Sequence, residues 1–393
     1  MTRSILDKAK TADLRPQSSA VKRLRAMPER LKDLFKRPSR QADGKVEHHV
    51  RLMEESIERR EWLLARNHAL ALGELAERLG DAGLVKKAGR ALRRLGGGNR
   101  TWQLIAMSKR MPGRPEWDGG DLAGRTLLVD RRAGDLAIFF QFASLLGPAV
   151  AAAGRCILFI EPRLASLYRR TYPALDVRIE GQDDLGAASA DVFAGFETLA
   201  SHFWPDDPEA RVPFVPLRPD PQLVAQLRAR YLDRGAGPLI GFAWGSLNKS
   251  KDLPALRDWR AMLSRLPGQL VSLQYGDIGP ALSEFGRYVP GRIIHDASVD
   301  QLSDMDRFAA QIMALDIVVT ISNTGANLAG ALGVPTIVML DDRFHLSWPA
   351  FGGTVPAYPS VRLIRKNGRP WAPALLEAAD LTKNILNGSR DEG

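Results

Sequence analysis

The chain has 393 residues, 45% of them hydrophobic, which allows two or three domains with cores of their own. Its single cysteine rules out a disulfide framework and fits a reducing compartment. The net charge is +10, but residues 1–45 hold 13 Lys/Arg against 5 Asp/Glu (13 − 5 = +8), so the rest is near neutral and lacks the broad basic face of a nucleic-acid binder.

In the basic tail Val21, Leu24, Met27, Leu31, Leu34 and Phe35 recur at roughly helical spacing among lysines and arginines, interrupted by Pro28. Such a segment either stays solvated as a partly disordered arm or lies on an anionic membrane surface or an acidic partner. No apolar signal core follows the N-terminus, and no run reaches the ~18–20 apolar residues of a membrane span. The expected location is the cytoplasm, with peripheral attachment at the inner membrane through the tail.

Residues 46–95 change to helical rhythm. Val50, Met53, Ile57, Leu63, Leu64, Leu70, Leu72 and Leu75 form one apolar series, Asp81-Ala82-Gly83 turns, and LVKKAGRALRRL follows as a second helix. The pair reads as an α-helical hairpin similar to one tetratricopeptide-type unit, short of the roughly three that make a stable array. His48 and His49 are adjacent, so they point about 100° apart on a helix and make a poor metal pair. Gly96-Gly97-Gly98 and Met111–Gly120 read as linker, and no Gly-Lys-Ser/Thr makes the triple glycine a phosphate loop.

From Arg125 the rhythm is β/α. Strands are expected at 125–130, 155–160, 176–179 and 191–194, with helices over 136–153 and 162–172. Cys156 lies in one of those strands as a buried residue. Pro205–Pro221 is irregular, 222–233 is a helix, and Gly235-Ala236-Gly237-Pro238 reads as a hinge. The rhythm then restarts, with strands at 239–243, 270–273, 292–295, 315–321, 336–340 and 361–364, and a closing helix over 371–386. The fold class is α/β, with two Rossmann-like, doubly wound domains facing a cleft. The boundaries are 1–45 for the tail, 46–118 for the hairpin and linker, 119–234 for the first domain and 235–393 for the second. Neither domain has a GxGxxG after its first strand, which counts against a dinucleotide.

Leu315–Leu340 has the most organised pattern: a β-branched strand, the turn Ser322-Asn323-Thr324-Gly325, a small-residue helix ended by Gly333, and another strand. A helix starting at the carboxyl end of a parallel strand presents N–H groups and a positive dipole end, which suits phosphate. The same residues also serve as an ordinary helix cap.

ISNTGANLAGALGVPTIVML, together with GFAWGSLNKSKDL from Gly241, VSLQYGD from Val271, AYPSVRLIRK from Ala357 and AGDLAIFFQFASLLGPAVAAAG from Ala133, resembles GT-B glycosyltransferases of the bacterial heptosyltransferase kind and their tetratricopeptide-linked relatives. The resemblance covers roughly 120–385 and lies in the order and spacing of the motifs. It implies a GT-B fold and transfer of a sugar from a nucleotide-sugar donor to a surface-glycan or protein acceptor, with inversion. Gly134 and Asp135 match the family's Gly-Asp turn, where the aspartate is the general base; the position also suits a helix cap. Ser246 and Lys249, with Lys251 as rival, match the loop that reaches the donor phosphates. Trp244 belongs to that loop, and Gln274 and Tyr275 stand where base or ribose is read, although Tyr275 fits packing equally. Asn323, Thr324 and Gly325 form the phosphate cradle.

Two positions depart from the family, which usually carries Asp where this chain has Ser322 and His where it has Asn327. They motivate a second reading, a degenerate fold serving as a binding or scaffold module; a sugar-nucleotide epimerase is a third. No cofactor is implied beyond the nucleotide sugar as substrate. No metal is implied, since none of Asp183-Asp184, Asp206-Asp207 and Asp341-Asp342 forms an Asp-x-Asp after a first-domain strand. Expected partners are the donor, a glycan or protein acceptor, and a membrane or protein surface for the tail and hairpin, but no nucleic acid.

Overall fold

The computed structural model describes residues 40–109, 113, 115–130, 136–183, 190–207, 210–248, 250–342, 348–350 and 352–391. Most of the basic tail lies outside them.

Four helices come first: Arg40–Glu58 (α1), Trp62–Leu79 (α2), Ala82–Leu95 (α3) and Gly98–Ser108 (α4). The single helical series read through 46–79 is broken at Arg60, where φ is 60° and the next N–H, of Glu61, bonds back to Ser56 O at 2.8 Å. No Gly or Pro marks that break. The Asp81 turn is as expected: its Oδ1 accepts from the N–H groups of Gly83 and Leu84 at 2.8 and 3.0 Å and starts α3.

The triple glycine is a packed corner instead of a linker. Gly98 has φ 58°, and a Cβ there would stand 2.1 Å from the Asp206 carbonyl oxygen. Asn99 Nδ2 donates to Trp204 O at 3.0 Å. The following α4 was not expected, because its apolar residues divide between two cores. Leu104 packs into the helical layer, while Trp102 and Ile105 enter the core of the first sheet.

That sheet is built from Thr126–Asp130 (β1), Arg155–Ile160 (β2), Asp176–Ile179 (β3) and Val192–Gly195 (β4). Between and after them run Leu136–Phe142 (α5), Leu146–Ala152 (α6), Ala165–Thr171 (α7) and Phe196–Phe203 (α8). The order is β3-β2-β1-β4, all parallel. Cys156 is buried in β2, and burial pushes its thiol up to about 12, a packing residue and not a thiolate.

The chain then crosses through 204–220 to Pro221–Leu232 (α9). The second sheet holds Leu239–Ala243 (β5), Gln269–Ser272 (β6), Ile293–Ile294 (β7), Ile317–Ile321 (β8), Thr336–Leu340 (β9), Thr354–Val355 (β10) and Tyr358–Arg365 (β11). Its helices are Trp259–Leu263 (α10), Gly279–Tyr288 (α11), Met305–Met313 (α12), Thr324–Leu332 (α13) and Trp371–Asp391 (α14). The order is β10-β11-β9-β8-β5-β6-β7, parallel except for β10 against β11. The continuously apolar strands are those of a sheet covered on both faces.

Two doubly wound parallel sheets facing each other are the GT-B arrangement expected. One side of the second sheet and the first unit share a continuous core, which joins Phe139 and Phe196 to Met305, Phe308 and Leu328. There the small residues of α13 let it pack on α5. The other side has its own core around Phe242, Trp259 and Phe285. Although the boundary at 234 assigns α9 to the first domain, its side chains engage the second. Arg228 Nη2 meets Asp316 Oδ1 at 2.9 Å, and the Tyr231 hydroxyl donates to Asp296 Oδ2 at 3.0 Å.

Candidate functional site

In an open parallel sheet, ligands bind beyond the carboxyl ends of the strands where the strand order reverses. In the second sheet that place is between β5 and β8, whose last residues pair as Ala243↔Thr320. The chain leaves β5 into Trp244-Gly245-Ser246 and leaves β8 into Ser322-Asn323-Thr324.

Asn323, two residues beyond β8, has an extended backbone, and its Oδ1 accepts from the Ala326 N–H at 2.9 Å. Its Nδ2 donates to Thr320 Oγ1 at 3.2 Å. This caps α13 and leaves the N–H groups of Thr324 and Gly325 at the head of the helix, where no intrahelical acceptor precedes them. They border a cavity of about 180 Å³ between the two units. Tyr275 and Asn323 also line it, with Gln301, Met305 and Phe308 from the second unit and Leu136 and Arg163 from the first.

Of the expected donor-site residues, Tyr275, Asn323, Thr324 and Gly325 therefore meet at one cavity. Gln274 stands behind it with its amide occupied. Its Oε1 accepts from the N–H groups of Trp244 and Gly245 at 3.0 and 2.6 Å, and its Nε2 donates to Tyr275 O at 3.1 Å. It ties the ends of β5 and β6 together. The Trp244 ring lies in the second core, edge-on to Phe285 with centroids 5.0 Å apart, so it packs and does not line the cavity. Ser246 Oγ accepts from the Asn248 N–H at 3.3 Å within its loop, and Tyr275 OH accepts from the Leu247 N–H at 3.0 Å.

Lys251 Nζ donates to Ser322 O and lies 3.5 Å from Ser322 Oγ, which also accepts from Trp348 Nε1 at 2.9 Å. A cation thus sits on the residue two before the helix start. Asn327 points inward: its Nδ2 donates to Asn323 O and its Oδ1 accepts from the Tyr358 hydroxyl, both at 3.2 Å. Where a donor contact was expected, Asn327 is buried and its amide is engaged, among the described residues, by a helix-cap carbonyl and a strand hydroxyl. Gly134, Asp135 and Lys249 lie outside the described residues.

Two lining residues escaped the sequence reading. Gln301 is 7% exposed, and its Nε2 is buried without a hydrogen-bond partner among the described residues. Its loop is shaped by Asp300, whose Oδ1 accepts from the N–H groups of Leu302 and Ser303 at 2.8 and 3.1 Å. The Ser303 hydroxyl, then those two amides, hold the Asp300 carboxyl below its usual range. Arg163 reaches over from the first unit, where Nη1 donates to Leu302 O at 2.6 Å. Its Nε donates to Glu161 Oε2 at 2.8 Å. The Asp300-x-x-Ser303 turn was legible, but what it presents across the cleft was not.

A larger cavity of about 430 Å³ opens between Arg60 and Trp62 of the helical layer and Asp341, Asp342 and Arg365 at the ends of β9 and β11. Two ion pairs already span its lining, Arg60 with Asp342 and Arg369 with Glu377, each at 3.4 Å. The strand-order reversal and the capped helix favour the smaller cavity. Asp341 and Asp342 also accept from the N–H groups of Asp252 and Gly368, each at 2.8 Å. Among the described residues no group of three His, Cys, Asp or Glu is placed to hold a metal ion, and no helix is long and apolar enough to cross a membrane.

No family model matches the chain. It is 29% identical over 296 residues to Protein FlbA of Caulobacter vibrioides, an alignment covering 68% of this chain and 48% of that protein, so the chain spans about half the length of this curated relative. Among solved structures it aligns with a glycosyl transferase family 9 protein from Veillonella parvula at 13% identity and TM-score 0.49, covering 68% of this chain and 99% of the other. Escherichia coli ADP-heptose lipopolysaccharide heptosyltransferase II aligns at 13% identity and TM-score 0.49, covering 67% and 99%. E. coli heptosyltransferase WaaC, solved with ADP-2-deoxy-2-fluoro heptose, aligns at 13% and 0.43, covering 66% and 99%. These solved structures are glycosyltransferases. The fold itself rests on sheet order and packing.

The site therefore combines a capped helix start, a lysine on the preceding turn and a small cavity over which the first unit closes.

Proposed function

We propose that the chain is a metal-independent, inverting glycosyltransferase that moves a sugar from a nucleotide-sugar donor to a glycan or protein acceptor. The observation that carries this reading is the cavity at the β5/β8 reversal, floored by the start of α13 and roofed by the first unit. In this scheme the donor diphosphate lies on the Thr324 and Gly325 N–H groups, with Lys251 and Lys249 as cations. The nucleoside enters the cavity beside Tyr275.

Asp135 takes the proton of the acceptor hydroxyl as its oxygen attacks the anomeric carbon. The bond from that carbon to the diphosphate oxygen breaks, and its electron pair leaves with the phosphate. Backbone N–H groups and lysines stabilise the growing negative charge, the role a metal has elsewhere. The acceptor meets the donor in the cleft, and the tail and helical layer bring the protein to its partner or membrane.

A thermal-shift panel of ADP, UDP, GDP and CMP tests the donor reading, because a ligand at 100 times its dissociation constant stabilises by about 2.7 kcal/mol. Donor turnover that disappears in Asp135→Ala completes the case; a flat panel overturns it. The hydrogen bonds that hold Ser322 and Asn327 in the scaffold favour a second reading, a nucleotide-binding module without transfer. Nucleotide binding with no turnover on any acceptor selects that one.

A further inference from the structure

We propose that the cavity between the helical layer and the ends of β9 and β11 holds a neutral sugar residue of a glycan, the acceptor of the transfer. The acceptor role rests on the transfer reading above; the binding itself does not, and it is measured without a donor.

The size and lining suit such a ring. The volume of about 430 Å³ falls within the roughly 300–1,000 Å³ of pockets that take small ligands. Arg60, Arg365 and Arg369 line the cavity together with Asp341, Asp342 and Glu377, so its charges balance. An anion there meets three carboxylates and a cation meets three guanidinium groups, and each like-charge approach is unfavourable. A hydroxyl carries one donor hydrogen and two acceptor lone pairs, so a neutral polyol uses both kinds of lining group at once. Trp62 adds an aromatic surface for the apolar face of a pyranose ring.

Two lining side chains are left with hydrogen-bonding capacity. Arg365 makes no ion pair among the described residues. Its Nη2 donates to Pro349 O, and burial pushes its pKa down to about 10. A desolvated guanidinium without a counter-ion gains from any oxygen acceptor that reaches it. Asn367, two residues beyond β11, is exposed in a left-handed conformation with φ 52°, and its amide has no hydrogen bond among the described residues.

The cavity also lies close to the donor site. Asp341 Oδ2 accepts from the Asp252 N–H at 2.8 Å, and the neighbouring Lys251 donates to Ser322 O, two residues before α13. One short loop therefore joins the cavity wall to the turn at the donor site, and an extended acceptor is the ligand that serves both places.

The test is saturation-transfer NMR on the full-length protein with the methyl glycosides of glucose, galactose, mannose and N-acetylglucosamine, and with methyl glucuronide and glucosamine as charged counterparts. At least one neutral glycoside should bind, and both charged counterparts should bind more weakly. Arg365→Met, which keeps the length and removes the charge, should weaken the best neutral ligand about tenfold. Asn367→Gly, which keeps the left-handed backbone, should weaken it about threefold. The second change is at the surface, so it decides the matter if Arg365→Met fails to fold. No binding of any neutral glycoside, stronger binding of methyl glucuronide or glucosamine, or affinities unchanged in both variants overturns the proposal and leaves the donor reading standing. Sugar binding by a protein that binds no nucleotide overturns the donor reading and leaves the sugar site standing.

Discussion

Asn323 does two jobs with one amide. Its Oδ1 caps α13 through the Ala326 N–H, and its Nδ2 holds Thr320 at the end of β8. Asn323→Ala should therefore lower stability by about 1 kcal/mol, the usual loss of an N-cap, seen as a lower urea midpoint with an unchanged slope. Nucleotide affinity should fall with it, because the first-turn N–H groups lose their fixed aim. Lys249→Ala should slow donor turnover roughly 10²–10³-fold, the effect of removing one charge-stabilising donor. An unchanged rate in steady-state assays would move that role to Lys251, whose ammonium already sits on Ser322. The turn Ser322–Gly325 was legible because cap residues act locally. The inward turn of Asn327 was not, since it depends on Tyr358, a strand residue far along the chain.

At the scale of elements, α4 is a splint between the helical layer and the first sheet. Trp102 is 4% exposed and meets Phe142 edge-on, with centroids 4.8 Å apart. Trp102→Ala should cost about 3–5 kcal/mol in chemical denaturation, in the range for truncating a buried aromatic. Sequence periodicity places no helix between Gly98 and Met111, because the apolar residues there face two cores and make no single stripe. The α1–α2 contact carries a pH dependence. His49 Nδ1 lies 3.2 Å from His68 Nδ1. Burial first, then His68, His48 and Lys45, holds the His49 pKa below its usual 6.5. As pH falls through 6.5 the unfolded chain takes the proton before the folded one, so stability is greatest above that value and declines toward the lower folded value. Melting temperatures taken from neutral to mildly acidic pH should show this slope, and His49→Gln should flatten it. The pairing was hidden from sequence, where only the adjacent His48 and His49 could be weighed; the helix break at Arg60 folds His68 back onto them.

For the whole molecule, the shared core of the first unit and α12–α13 makes the cleft a packed interface with a small cavity, so the site belongs to both units. The cores use no residue before Val46 among those described. Deleting residues 1–39 should therefore leave the melting temperature and turnover on a small acceptor unchanged. The membrane contact proposed for the tail predicts salt-sensitive binding to anionic vesicles that is lost with it, each Lys or Arg near the surface contributing about 1 kcal/mol. Vesicle binding that persists after deletion would place the membrane contact elsewhere.

The sequence by itself determined what depends on neighbours in the chain. β-branched runs such as Ile317–Ile321 specify buried parallel strands, and Asp81, Asn323 and Gly333 specify helix ends. The alternation of those elements specifies two Rossmann-like units. The tertiary structure decided what depends on convergence. It drew the first unit's Arg163 onto the Leu302 carbonyl, turned Asn327 into the scaffold and set Lys251 on Ser322. The physical reason is that strand and helix periods are local, whereas a binding site forms where the order of strands reverses and two units close. Which side chains arrive there is set by packing between residues far apart in sequence.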